Sequence, residues 1–437
     1  MGERLQRTAT TNAPVLRVKR VKVEGLFGLY NHDIPLNLDD RVTIVHGPNG
    51  VGKTVLLKLI AAVFSGEYEQ LAKVPFKQLS IEFSGDGLLS LIPDKFGDER
   101  DNDNQPILVS LKSGTKTRDG TITIEKAKPA ITSFAWDAIW EPFGRHGQSP
   151  FQGKPSGATD AARRIMGPKW LTDLRTRVQV HLIETQRLLR MNFVDERGAF
   201  IPTVREYARD LHARITEALA RYATESQSLD QSFPQRLLKT RGQTGLVSSD
   251  LKSRMSALND KRAQLQKIGL LDAATSSPFE IESLDVLDPV QSNVMSLYVE
   301  DTQRKLEVLG DLSRRITLLL DNVNGKFRNK SIQISRQEGF VVLGHDGAPI
   351  EPDSLSSGEQ HELVQLYDLL FRVKPGTLVL IDEPELSLHV LWQKKYLPEL
   401  LEIAKTAEFD AIVATHSPFI VGDRSDLMVP LTADIDT

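Results

Sequence analysis

The stretch Val42-Thr43-Ile44-Val45-His46-Gly47-Pro48-Asn49-Gly50-Val51-Gly52-Lys53-Thr54-Val55-Leu56-Leu57 decides the fold. Val42–Val45 is a short apolar β-type run, and Val55–Phe64 is an apolar helical run. Between them Gly47 to Thr54 matches G-x-x-x-x-G-K-[ST] in full, in the strand-to-helix setting that the chemistry needs. Glycines let the backbone curl until its N–H groups face phosphate oxygens, so Gly47, Asn49, Gly50 and Gly52 are the candidate cradle. Lys53 is placed to reach the β- and γ-phosphates, and the Thr54 hydroxyl to ligate Mg²⁺.

Outward from that loop, β-type runs occur at Val15–Val23, Ile34–Leu38, Leu79–Phe83, Leu88–Ile92, Ile107–Leu111 and Thr121–Ile124. Asp94–Gln105 is a polar, turn-rich loop, and Glu141–Asp160, rich in Gly, Pro and Ser, reads as a long loop or an insertion. Arg177–Glu184 has a strand pattern that ends in Thr185-Gln186-Arg187. Past Phe200 the period changes to about 3.6. Thr203 with Glu206 fits a capping box, followed by Val204, Tyr207, Leu211, Ile215 and Leu219 on one helical face. A second stripe is Leu251, Met255, Leu258, Leu265 and Ile268. A third, Leu309, Leu312, Ile316, Leu319 and Val323, has the spacing of a short coiled-coil seam. Helix-on-helix packing accounts for all three. Strand patterns return at Ile332–Ile334, Phe340–Leu343, Leu378–Ile381 and, last, Ala411–Ala414, with a helical run over Glu359–Phe371.

Leu378–Ile381 ends in Asp382-Glu383. The first acid can support Mg²⁺ and the second can accept a proton from an attacking water. Leu355-Ser356-Ser357-Gly358-Glu359 stands just ahead of a helix, where exposed N–H groups favour an anion; alone it reads as an ordinary N-cap. Thr415-His416-Ser417-Pro418 follows the last strand; a lone His there is ordinarily structural.

The order of these weak signals is informative. Loop, strand-end Gln186, Leu-Ser-Ser-Gly-Glu, Asp382-Glu383 and His416 follow one another as in ATP-binding-cassette ATPases, and the chain resembles the branch of the SMC and RecF heads. Asp382-Glu383-Pro384-Glu385-Leu386-Ser387-Leu388-His389, Ala414–Pro418 and Ile183-Glu184-Thr185-Gln186-Arg187-Leu188 are more similar to the OLD-type ATPases of bacterial defence. The resemblance covers about 15–200 and 328–422. It implies an α/β head of the ABC-type P-loop NTPase class with a mixed β-sheet core, split by a helical insertion. The expected units are a tail over 1–14, the two head parts 15–200 and 328–437, and the insertion 201–327. By the same resemblance, Gln186 senses metal or water, Asp382 supports Mg²⁺, Glu383 is the catalytic base and His416 contacts the γ-phosphate. Ser356, Ser357 and Gly358 close over ATP bound to a second copy, with Ser357 in place of the usual glycine. No motif marks the adenine platform. Phe27 and Tyr30 are the candidates, with core packing expected for Phe27.

Composition removes other classes. With no Cys there is no disulfide framework, zinc hook or Cys nucleophile, which favours the cytoplasm. No apolar run is long enough for a membrane span, and the N-terminus lacks a signal core. It begins Met-Gly, but Gln6 breaks the myristoylation pattern. A net charge of −4 argues against a uniformly basic nucleic-acid binder. Only residues 417–437 follow His416, so the resemblance leaves no TOPRIM domain here, and the nine scattered His do not suggest an HNH site. The expectation is an ATP- and Mg²⁺-dependent ATPase, slow and dimeric, that controls a separate nuclease subunit, HNH or TOPRIM, as in Septu- or PARIS-type anti-phage systems. The alternatives are a RecF-like repair clamp and a nucleotide-gated scaffold. The clamp would bind DNA directly through Arg163 and Arg164 or Arg236, Lys239 and Arg241, clusters that solvated surface charge also explains.

Overall fold

The computed structural model describes residues 16–94, 106–123, 167–183, 189–192, 199–239, 246–272 and 287–431. The Glu141–Asp160 stretch, Gln186, Arg163, Arg164 and Arg241 lie outside the described residues. β1 (Val18–Leu26) and β2 (Tyr30–Pro35) pair as a hairpin, and β3 (Val42–His46) leads into α1 (Lys53–Ser65). After α2 (Tyr68–Lys73) come β4 (Gln78–Phe83), β5 (Gly87–Pro93), β6 (Ile107–Ser113) and β7 (Lys116–Ile122). They complete an antiparallel sheet in the order β2-β1-β4-β5-β6-β7. The strand expected at Thr121–Ile124 is thus displaced. It is an edge strand exposed over most of its length, so apolar alternation does not mark it. The strand expected over Arg177–Glu184 is likewise shorter. Leu171 and Leu174 carry α3 (Lys169–Arg177) up to Arg177, and β8 (Val180–Ile183) follows. β9 (Leu189–Asn192) and β10 (Ala199–Pro202) form a small hairpin.

Four helices follow: α4 (Thr203–Lys239), α5 (Ser248–Lys267), α6 (Pro289–Glu307) and α7 (Gly310–Asn324). At 1.5 Å per residue α4 is about 55 Å long. Its buried stripe, Val204, Tyr207, Leu211, Ile215 and Ala218, occupies the first half. Only Leu229 is buried beyond it. α6 has no counterpart among the three apolar stripes because its buried face includes Asp301 and Thr302. Arg236 on α4 forks onto Asp301 at 2.5 and 2.7 Å, so an ion pair replaces apolar contact there. Its start was nevertheless written in the chain: Asp288 and Gln291 form a reciprocal capping box around Pro289, the first helical residue.

β11 (Lys330–Ser335), β12 (Gly339–Gly344) and β13 (Pro349–Ile350) make a three-stranded sheet. α8 (Ser357–Tyr367) runs on into a π turn, Asp368–Arg372. Then come β14 (Leu378–Asp382), α9 (Val390–Ala407), β15 (Asp410–Thr415), the short α10 (Pro418–Val421) and β16 (Met428–Pro430). β15 is therefore not the last strand; β16 pairs with the far edge of β3.

A parallel sheet in the order β16-β3-β15-β14-β8 lies at the centre. The inner strands β3, β14 and β15 are buried along nearly their whole length because both faces are covered, and alternate residues enter different cores. Leu378, Leu380, Ile412 and Ala414 pack with α1 and the antiparallel sheet. Val379, Ile381, Ala411 and Val413 pack with α8, α9 and the helical segment. α1, sandwiched between sheets, is buried on nearly every side. The helical segment is keyed to α8 by a reciprocal clasp. The rings of Tyr207 and Tyr367 stack at 4.5 Å, Tyr367 Oη donates to Asp210 at 2.6 Å, and Tyr207 Oη donates to Asp368. The β11–β12 turn presses onto α4 at Gly339 (φ 82°), where a Cβ would stand 1.9 Å from Ala208 O. Among the described residues no helix is long and apolar enough to cross a membrane.

Candidate nucleotide site

Register brings the motifs to one edge. Thr415 pairs with His46, Asp382 with Ala414, and Ile381 with Ile183, so four parallel strands end level with one another. Gly47, Glu383 and His416 leave from that shared end, where ligands of open α/β sheets bind. β8, the strand that precedes Gln186, also ends here.

The Gly47–Thr54 turn opens α1 without a side-chain cap. Gly52 is left-handed (φ 91°), and a Cβ there would stand 2.7 Å from Leu26 Cδ2, so glycine is required on two counts. Lys53 is buried, and its ammonium donates to Gly47 O at 2.8 Å and Pro48 O at 3.0 Å, which centres the charge inside the loop. Thr54 Oγ1 donates to Asp382 Oδ1 at 3.0 Å, joining residues 328 apart in the chain.

Burial pushes the Asp382 carboxyl above its ordinary value, against the Thr54 hydrogen bond, and the negative charges of Glu383 and Glu385 add to the rise. Glu383 follows in a left-handed conformation (φ 42°), a strained setting for a non-glycine residue, with its N–H donating to Ala414 O at 2.9 Å. Glu383 Oε1 lies 3.4 Å from His416 Nδ1. Glu385, which sequence reasoning left without a role, is buried behind them; its Oε1 accepts from Thr415 Oγ1, His416 N and Ser417 N. Such contacts give a strand-end acid no local sequence signal.

Ser356 caps α8, its hydroxyl accepting from Glu359 N at 3.4 Å while its N–H donates to Glu359 Oε2 at 2.7 Å. Burial raises the Glu359 carboxyl, but hydrogen bonds from Lys330 and Ser356 outweigh it and hold the group below its ordinary value. The hydrogen bonds of Ser356 and Ser357 stay within the first turn of α8, and both residues are exposed, with Gly358 half-buried. The N-cap reading therefore holds within one chain, and the helix end remains open to a second molecule.

Phe27 departs from the expected core position. It is 39% exposed, left-handed (φ 55°), and its ring edge would lie 3.3 Å from a Cβ at Gly52, beside the loop. Tyr30 instead stacks on His32 at 5.9 Å. Arg236, one of the candidate DNA contacts, is committed to Asp301. Among the described residues no three His, Asp or Glu side chains converge on a metal position. A Thr hydroxyl beside one carboxylate nonetheless fits Mg²⁺, which takes one or two protein oxygens and completes its shell with phosphate and water.

A parallel sheet with this loop, an acidic strand end and a histidine at the same edge has the architecture of a P-loop ATPase domain. The chain belongs to the family described as "AAA domain, putative AbiEii toxin, Type IV TA system", which matches residues 42–422. A Septu protein PtuA of Bacillus thuringiensis is 35% identical over 80 residues, 18% of this chain and 20% of that protein. The match thus spans about a fifth of that relative's length. An Smc head domain with an extended coiled coil, bound to the C-terminal domain of ScpA, from Pyrococcus furiosus is 11% identical, with a TM-score of 0.39 over 96% of this chain and 94% of that one. The SMC head domain of Thermotoga maritima is 12% identical, with a TM-score of 0.34 over 95% of each chain.

Proposed function

We propose that the chain binds ATP with Mg²⁺ at the shared strand end and hydrolyses it slowly, within a dimer that controls a separate effector in anti-phage defence. The observation that carries this is the convergence of Lys53, the Thr54–Asp382 hydrogen bond and the Glu383–His416 pair on one sheet edge. The N–H groups of Gly47, Asn49, Gly50 and Gly52 and the Lys53 ammonium bind the phosphates, and Phe27 offers a face for the base. Thr54 and Asp382 hold Mg²⁺, which when bound neutralises phosphate charge. Glu383 orients the attacking water and takes its proton, His416 contacts the γ-phosphate, and Gln186 senses the metal or water. Ser356, Ser357 and Gly358 present the N-terminus of α8 to the nucleotide of a second copy. The likeness to a Septu protein supports the defence role, and the family resemblance supports an HNH or TOPRIM nuclease as the effector.

The test compares Lys53→Ala with Glu383→Gln for ATP binding, turnover and native mass, with co-purifying chains identified from the native gene neighbourhood. Lys53→Ala should lose nucleotide binding. Glu383→Gln should keep binding, lose turnover by about 10²-fold or more, and accumulate as an ATP-bound dimer. Equal binding and assembly by the two variants would sink the site assignment. A dimer that arrives with DNA and no nuclease would sink the effector reading.

A further inference from the structure

Asp382-Glu383-Pro384-Glu385 presents three carboxylates in a row, but the third is unlike the others. Glu385 is only 8% exposed. Its Oε1 accepts three hydrogen bonds, from Thr415 Oγ1 at 2.7 Å, His416 N at 3.0 Å and Ser417 N at 3.2 Å. All three donors come from one turn, the turn that carries His416. The same oxygen lies 3.6 Å from His416 Nδ1, whose other carboxylate neighbour is Glu383 Oε1 at 3.4 Å. Oε2, by contrast, is buried with no hydrogen-bond partner among the described residues.

The turn is also held from its far side. Ser417 Oγ donates to Gln393 Oε1 at 2.8 Å, and Gln393 Nε2 donates to Leu388 O at 3.2 Å and Glu385 O at 3.4 Å. Glu385 and Gln393 thus enclose Thr415–Ser417 from two elements, the turn after β14 and the first turns of α9.

We propose that Glu385 is a positioning residue: by gripping the Thr415–Ser417 turn it fixes the His416 ring opposite Glu383. The inference rests on the reading above that Glu383 and His416 act on ATP. A residue in this place sets the spacing of the reacting groups before substrate arrives, and a displacement of about 1 Å costs on the order of 10²-fold in rate. Glu385 touches neither nucleotide nor water in this scheme; it acts only through His416.

The experiment uses the full chain with Glu385→Ala and Glu385→Gln, each in the native and the His416→Ala background. Steady-state ATP turnover, binding of a fluorescent ATP analogue, and hydrogen exchange of the 415–417 amides are measured together. Glu385→Ala should lower kcat by about 10- to 100-fold with KM and analogue binding within about twofold. The glutamine amide oxygen still accepts from the same donors, so Glu385→Gln should stay within about threefold of the native rate. With His416 already removed, Glu385→Ala should cost less than about twofold more. Amide protection at His416 and Ser417 should fall in the alanine variant and persist in the glutamine one.

A native rate in Glu385→Ala, an equal loss with and without His416, or equal damage in both variants would overturn the proposal. If Glu385→Ala does not fold, Thr415→Val removes one donor and should lower kcat with KM unchanged; an unchanged kcat would again overturn it. A native chain with no ATP turnover refutes the proposed hydrolysis instead, and the exchange data then decide whether Glu385 grips the turn.

Discussion

Glu362 on α8 and Glu399 on α9 share a buried lysine, whereas Asp382, Glu383 and Glu385, at and just past the end of β14, share none. The Lys326 side chain is 2% exposed and bonds to both of its partners. At the strand end, among the described residues, the only ion-pairing neighbour of the three acids is His416. Lys53 spends its donors on the Gly47 and Pro48 carbonyls. The first group is closed by the chain itself: one cation bridges two anions largely away from water and ties the turn after α7 to α8 and α9. The second gathers like charge that the Thr54 hydrogen bond and the positive charge of Lys58 offset only in part, which folding alone would not favour. In the proposed reading that surplus meets the cation that arrives with the nucleotide.

Removing the cation from the closed group should have the larger effect on folding. Lys326→Met leaves two buried carboxylates facing each other and should cost about 3–5 kcal/mol in urea unfolding. A loss under about 1 kcal/mol would mean that water reaches the pair and that the group is not closed. At the open group the sign reverses. Asp382→Asn keeps an oxygen for Thr54 but removes one of three like charges, so the nucleotide-free chain should become more stable, by about 0.5 kcal/mol because solvent screens a half-exposed group. Turnover with Mg²⁺ should be lost in the same variant. A less stable Asp382→Asn would show that the acids are structural.

Titration sharpens the comparison with the smallest effect. Asp382, raised by burial and by its acidic neighbours, binds its proton more readily in the folded state. Its destabilising contribution is therefore present at neutral pH and fades as pH falls into the ordinary carboxylate range. Glu359, held low by Lys330 and Ser356 against the pull of burial, works the other way. Its contribution is stabilising above the ordinary carboxylate range and is lost as pH falls through its folded value. Unfolding curves from neutral pH down to about pH 3 should show both differences from native closing in acid, positive for Asp382→Asn and negative for Glu359→Gln. Like signs for the two variants would contradict the assignment of causes.

Much of this molecule can be read without coordinates. The strand-to-helix turn at Gly47–Thr54, the apolar run into Asp382-Glu383, the cap at Ser356 with Glu359 and the stripes of α4, α5 and α7 are local patterns. Each is written by residues a few positions apart, because backbone preference, capping and periodicity act over one or two turns. Even α6 announces its start through Asp288 and Gln291, although its buried Asp301 breaks the apolar period.

What remained hidden concerns partners. Nothing near Thr54 says that its hydroxyl meets Asp382, nothing near Arg236 says that it is spent on Asp301, and nothing near Glu385 says that it holds the turn of His416. Phe27 looks like a core residue until the sheet turns it out beside the loop. A buried polar group must find a partner, but strand register and helix packing across hundreds of residues choose which one. The chemistry at this sheet edge was spelled out along the chain, and the pairing of its acids with hydroxyl and histidine was settled only when distant strands came level.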